Sequence, residues 1–260
     1  MPDKVLPGPV HGNAPCVKEA VCVHTNRIYD SCRDKECIED LRIYPTRASQ
    51  EVLDRAINIK ARHAELIDAE IKVSEVAFNR GFYTVDIRFF YRIVFDAYTC
   101  QNRPTPVCGL AVYDKRVILY GGEAGAKSFS SVSPENCTAT ASPKATLEAV
   151  DPMLLDLKLC DVCNCHITCD DICEIPSCVM SFFDDEIVIG GDCKRAFATL
   201  GQFTVIYLER LSSLIIPSYD NCMPNKEYAS SSDDSPCELF RKINFPTEEF
   251  FPQSATKTCR

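Results

Sequence analysis

The densest cluster of chemically reactive side chains lies between residues 160 and 178. It contributes six of the chain's 17 cysteines, with His166 directly beside one of them. The six are Cys160, Cys163, Cys165, Cys169, Cys173 and Cys178. Cysteine thiolates and histidine nitrogens are zinc ligands, whereas oxidised cysteines pair with one another. The cluster therefore predicts either a metal site or a set of disulfide bonds.

The spacing within the cluster favours disulfides. Structural zinc sites usually draw their four ligands from two close pairs at separated points of the chain. Here the pair Cys160 and Cys163 runs directly into the pair Cys163 and Cys165, which is the pattern of no known finger or ribbon. A zinc site formed by Cys160, Cys163, Cys165 and His166 is the alternative. We expect no bound metal and no other cofactor.

Further cysteines lie in both terminal segments. A chain of 260 residues hides about three quarters of its surface on folding, so it needs no disulfides to form a core. An odd number of cysteines also cannot pair completely within one molecule. Cross-link candidates outside the cluster are Cys16, Cys22, Cys32, Cys37 and Cys259. Among these we expect Cys16, Cys22 and Cys259 to reach a neighbouring copy, because chain ends are usually exposed.

Composition and motifs exclude several classes of protein. The net charge of -9 and the scattered lysines and arginines give no basic patch, so we expect no nucleic-acid partner. The sequence has no signal peptide and no apolar stretch that could span a bilayer, so we expect synthesis in a cytosol and no membrane partner. It also lacks metalloprotease, serine-hydrolase and phosphate-loop signatures. We therefore expect no enzyme, and a thiol-dependent enzyme is the least favoured alternative.

Residues Phe82 to Tyr98 give the clearest strand prediction, and we expect this strand to contribute to the core. Apolar and β-branched side chains alternate there with polar ones, a period of two that is typical of a β-strand. Its second face mixes charged and aromatic residues, which predicts partial cover by another element. Cys108 to Tyr120 has two short apolar runs around Asp114, Lys115 and Arg116, and we interpret it as a hairpin.

The whole pattern predicts a mainly β protein with a β-sandwich-like core and irregular, cysteine-rich arms at both ends. Residues 1–45 form the expected N-terminal arm, because the first 15 residues contain four prolines and the segment has no sustained apolar period. Residues 46–216 form the expected β core, with a long polar loop at 123–144 and the cysteine cluster at 160–178. Residues 217–260 form the expected C-terminal tail.

Several strings of the sequence resemble those of a known group of proteins. They are FNRGFYTVDIRFF at 78–90, GLAVYDKRV at 109–117, LGQFTV at 200–205, ELFR at 238–241 and the dipeptide FP at 245–246. These strings are similar to cysteine-rich exosporium and spore-surface lattice proteins of clostridia. The resemblance covers most of the chain from about Cys16 onward.

The resemblance implies a structural protein of the spore surface, in the exosporium or the coat. Such a protein is made in the mother-cell cytoplasm and self-assembles into a two-dimensional layer held by disulfides. Its expected partners are copies of itself, in a ring or lattice, and other spore coat or exosporium proteins. No catalytic residue is carried over by the resemblance.

Overall fold

A computed structural model describes residues 19–100, 103–123, 142–161, 175–190 and 193–218. The chain divides into two compact units. One contains residues 1–25 and 213–260, of which the structure describes the first residues of one strand and the last residues of another. The other contains residues 26–212, including every described cysteine except Cys22.

The described residues form seven strands and two short helices. In chain order they are β1 (Glu19–Pro45), α1 (Arg47–Leu53), β2 (Asn58–Glu75), β3 (Phe82–Tyr98), β4 (Pro104–Tyr120), β5 (Lys144–Ala149), β6 (Met153–Asp161), α2 (Ser177–Met180) and β7 (Lys194–Ser218). The strands make one sheet in the order β2, β3, β4, β1, β7, β5, and β6 also pairs with β7. The predicted mainly β fold is confirmed.

Within residues 26–212 this sheet curls until its two edges meet. β5 and β6 pair one after the other with β7, both antiparallel, so together they act as a single interrupted strand. β2, at the opposite edge, contacts both of them. The backbone N–H of Leu66 on β2 donates to the Asp151 carboxylate between β5 and β6, at 3.1 Å. The sheet of this unit is therefore nearly closed, and the core fills its interior.

β3 supplies the largest share of that core. Its inward residues alternate along the whole strand and are at most 4% exposed: Tyr83, Val85, Ile87, Phe89, Tyr91, Ile93, Phe95 and Ala97. β3 is hydrogen-bonded to β2 on one side and to β4 on the other over its full length. A central strand with one apolar face is what the period of two predicted.

The second face of β3 is partly covered, as its mixed composition indicated. Phe90 points away from the interior and is 1% exposed. It packs in a separate cluster with Val179 of α2 and with Phe183 and Ile187, which follow that helix. The segment from 175 to 190 thus covers part of the outer face of the sheet. Aromatic burial of this kind stabilises a fold by about 3 kcal/mol or more.

The predicted boundary of the N-terminal arm is wrong, because β1 already begins at Glu19. Residues 1–18 and the tail from 219 to 260 lie outside the described residues, whereas 19–45 are strand. β1 escaped detection because its inward positions are not all apolar. On the less exposed face, the charged Asp34 and Glu36 lie between Cys32 and Ile38. The apolar period of two is therefore interrupted.

The predicted hairpin at 108–120 is likewise wrong, because β4 is one continuous strand. Three consecutive charged residues suggested a turn, but each has a partner in the sheet. Asp114 and Arg116 face outward, where they pair with Arg88 and Asp86 of β3. Lys115 faces inward to the carboxylates of β1. Charged residues fit a strand interior when neighbouring strands supply the opposite charge.

Candidate functional site

Eight cysteines lie in the described residues, and all are free thiols. Six are exposed: Cys22, Cys37, Cys100, Cys160, Cys178 and Cys193. Cys32 and Cys108 are half-buried. An exposed cysteine is unusual, because free cysteine is among the residues most often buried. Exposed thiols on several elements are therefore the feature that most needs a functional explanation.

Several predicted site residues lie outside the described residues. They are Cys16, Cys163, Cys165, His166, Cys169, Cys173 and Cys259. Of the four residues proposed as alternative zinc ligands, Cys160 alone is described, near the end of β6. Within the described part of the chain, no group of three His, Cys, Asp or Glu side chains could hold a metal ion.

Cys178 is exposed on α2, yet its surroundings reduce its reactivity. Its sulfur donates a hydrogen bond to the Asp68 carboxylate on β2, at 3.3 Å. That hydrogen bond is the main cause of a raised pKa for the Cys178 thiol, with burial and the charge of Asp68 adding to it. Since the thiolate is the attacking form, Cys178 is a poor nucleophile at neutral pH.

Cys32 points from β1 toward the interior and packs against the core. Burial is the largest cause of its raised thiol pKa, and the charge of Asp34 raises it further. Lys115 and a hydrogen bond with the backbone of Ile206 act in the opposite direction, without reversing the shift. A catalytic cysteine needs a lowered pKa. Cys32 therefore has the environment of a structural thiol.

Next to Cys32, a cluster of charged residues joins β1 to β4. Lys115 contacts both Asp34 and Glu36, with 2.5 Å between its Nζ and a Glu36 carboxylate oxygen. Its side chain is 13% exposed. Burial alone would lower the pKa of Lys115, but the hydrogen bonds that it donates to the two carboxylates raise it. Lys115 thus stays charged and links two strands whose contact the sequence did not reveal.

Two tyrosines complete this interior cluster. The Tyr113 hydroxyl donates to Glu36 at 2.7 Å, and burial together with this bond raises the pKa of Tyr113 to about 12. Burial also raises the pKa of Tyr91, whose ring stacks on Phe89 at 6.0 Å. The raised pKa values keep both tyrosines protonated and Lys115 charged at neutral pH. Such an arrangement fixes strands rather than transferring protons.

Three further described thiols lie next to strands or against the cluster around Phe90. Cys100 follows β3 and Cys193 directly precedes β7, and both are exposed. Neither was among the predicted cross-link candidates. The sequence signal for their exposure was their position just outside two apolar runs, because residues next to strands commonly lie in exposed connections. Cys108 on β4 instead packs against the cluster around Phe90.

The chain matches no family model, no curated protein and no solved structure. Among the described residues, no helix has the length and apolar character needed to cross a membrane.

Proposed function

We propose that this chain is a structural protein that assembles with copies of itself through disulfides between exposed cysteines, in a layer at the spore surface. The observation that carries the proposal is the exposure of six free thiols out of the eight that are described. The similarity of sequence strings to clostridial spore-surface proteins supports the location in an exosporium or coat.

The thiols are not needed for the fold of the described residues. The interior is filled by apolar side chains of β3, β4 and β7, and the strands are joined by continuous hydrogen bonding. Disulfides stabilise small domains that lack such a core. In a chain of this size, exposed cysteines are better placed to link molecules than to hold one molecule together.

Assembly into a layer needs contacts in more than one direction. The exposed thiols occur on β1, after β3, on β6, on α2 and before β7. One type of contact, repeated around a rotation axis, closes a ring of copies. Further contacts between rings join them into a sheet. Thiols on several elements provide the number of linking points that this geometry requires.

The proposal is tested by oxidising the purified full-length chain and measuring its mass by size-exclusion chromatography with light scattering. We expect oligomers that resist detergent and heat but revert on reduction, because reductant cleaves a disulfide. Electron microscopy of the oxidised sample should show rings or ordered sheets. A monomer under oxidising conditions contradicts the proposal.

Two variants locate the links. Replacing the six exposed described cysteines by serine should reduce the ladder of cross-linked species on non-reducing electrophoresis. The matched control is Cys108→Ser, which removes a half-buried thiol and should leave the ladder unchanged. A triple variant with serine at Cys16, Cys22 and Cys259 tests the separate prediction that the terminal segments carry links. An unchanged ladder in that variant means that they do not.

A further inference from the structure

The outer face of β1 continues onto β7 and β6. The side chain of Lys35 on β1 lies over the ring of Phe203 on β7, with 5.6 Å between Nζ and the ring centre. The thiol of Cys32 is hydrogen-bonded by the backbone of Ile206. Cys32 is level with Ile206 and Lys35 with Phe203, so residue numbers rise along β1 as they fall along β7. The two strands therefore run antiparallel. Cys37, two residues beyond Lys35 on the same face, is level with Gly201.

This face has an apolar centre that is open to solvent. Phe203 is 41% exposed, Met153 is 52% exposed and Leu155 is 54% exposed. Met153 and Leu155 lie over Gly201, within 3.6 Å and 3.4 Å of the position that a Cβ atom would occupy there. We call the surface formed by Lys35, Cys37, Glu39, Met153, Leu155 and Phe203 the Cys37 face. Contiguous exposed apolar groups with a polar rim are typical of interaction surfaces.

The charges on either side of Cys37 have opposite sign. Lys35 precedes it by two residues and Glu39 follows it by two, and all three are exposed. Neither Lys35 nor Glu39 makes an ion pair with another described residue; Lys158 pairs with the neighbouring Asp40 at 2.6 Å, and the charge of Glu39 adds to the raised pKa of Lys158. A two-fold axis through Cys37, perpendicular to the strand, would bring Lys35 of one copy against Glu39 of the other. The surface is then complementary to itself.

We infer that the Cys37 face docks on the same face of a second copy, with the two Cys37 thiols meeting at the two-fold axis. This inference rests on the proposed self-assembly and names one of its contacts. A parallel arrangement, with Lys35 against Lys35, is disfavoured because like charges would oppose each other. The self-complementary charges therefore fix both the occupant, a second copy, and its orientation.

The contact also permits a covalent bond. Facing sheets pack about 10 Å apart, whereas a disulfide requires Cα atoms within about 7 Å. Leu155 and the flexible Met153 lie over Gly201 beside Cys37, so the covalent bond requires these exposed side chains to move aside and let the faces approach. One Cys37 thiolate attacks a disulfide oxidant such as oxidised glutathione and releases one glutathione thiolate. The partner's thiolate then displaces the second glutathione, leaving a Cys37 to Cys37 bond.

Mass spectrometry of the oxidised full-length chain tests the inference directly. Trypsin releases residues 36–42, whose single cysteine is Cys37. Two copies of this peptide joined by a disulfide can arise only between molecules. We expect this product from the wild type in oxidised glutathione, and its absence from Cys37→Ser.

Charge variants test the orientation. Lys35→Glu and Glu39→Lys should each lower the yield of the Cys37 to Cys37 product by about tenfold, since two repulsive pairs replace two attractive ones. The double variant with both changes should restore it. Arg80→Glu, in the exposed turn between β2 and β3, gives the same change in net charge as Lys35→Glu and should have no effect. Circular dichroism confirms that each variant is folded.

The outcomes separate this inference from the proposed function. Oligomers that form without a Cys37 to Cys37 bond, or a yield unaffected by both single charge changes, overturn the inference and leave self-assembly standing. A chain that stays monomeric in the oxidant overturns both.

Discussion

The outer face of β3 and the Cys37 face belong to the same sheet. They differ in how far their side chains are paired or covered by other residues of the chain. On β3, Arg88 makes two hydrogen bonds to Asp114, at 2.7 Å and 2.9 Å, and Phe90 lies beneath Phe183 and its neighbours. On the Cys37 face, Phe203 is exposed and Lys35 lacks a described ionic partner. One face is complete within the chain, and the other keeps exposed apolar and charged groups, which we propose a second copy covers.

The largest expected difference between the two faces concerns their aromatic residues. Phe90→Ala should lower the free energy of unfolding by about 3–5 kcal/mol, because it empties a fully buried position. Phe203→Ala should lower it by less than about 1 kcal/mol, because Phe203 is already partly exposed. Urea unfolding of the reduced chain measures both values.

The two phenylalanine variants should also differ in association. Phe203→Ala is expected to reduce the yield of Cys37-linked dimers, whereas its fold is retained. If Phe203→Ala instead destabilises the reduced monomer as strongly as Phe90→Ala, then the Cys37 face is covered within the chain and the comparison fails.

A second difference concerns thiols on opposite sides of β1. Cys37 should react with iodoacetamide about tenfold or more faster than Cys32, because Cys32 is half-buried and its raised pKa limits the thiolate. The two occur in separate tryptic peptides, residues 28–33 and 36–42, so mass spectrometry of the reduced chain follows each rate. Equal rates would mean that β1 does not separate an inner from an outer face.

The smallest expected difference concerns charge. Arg88→Met should cost less than about 1 kcal/mol at neutral pH, because the ion pair with Asp114 is partly exposed. The hydrogen bond from Arg88 holds the pKa of Asp114 below its usual value. The contribution of the pair is therefore present above about pH 4 and disappears as the pH falls through the lowered pKa.

Lys35→Met is the matched control for this measurement. It should leave the pH dependence of the stability of the reduced monomer unchanged in this range, because Lys35 has no described ionic partner and its contact with the Phe203 ring does not titrate there. Unfolding experiments between pH 2 and pH 7, a range chosen to span carboxylate titration at about pH 4, compare both variants with the wild type. A pH-dependent loss in Lys35→Met would show that the Cys37 face is also paired within the chain.

The sequence by itself determined the elements whose pattern is local. The alternation in residues 82–98 predicted β3 with its bounds, since inward and outward positions of a strand follow directly from a period of two. Its mixed second face correctly indicated a covering element. The mainly β class followed from the same local signals in β7.

The tertiary structure alone decided the features that depend on distant partners. β1 and the continuous β4 were missed because their charged inward residues, Glu36 and Lys115, satisfy each other across 79 positions of sequence. Exposure of each thiol was likewise undecided, since neighbouring cysteines such as Cys32 and Cys37 lie on opposite faces once the strand forms. A local pattern reports which residues alternate, but burial depends on which strands meet, and pairing over long separations leaves no local trace.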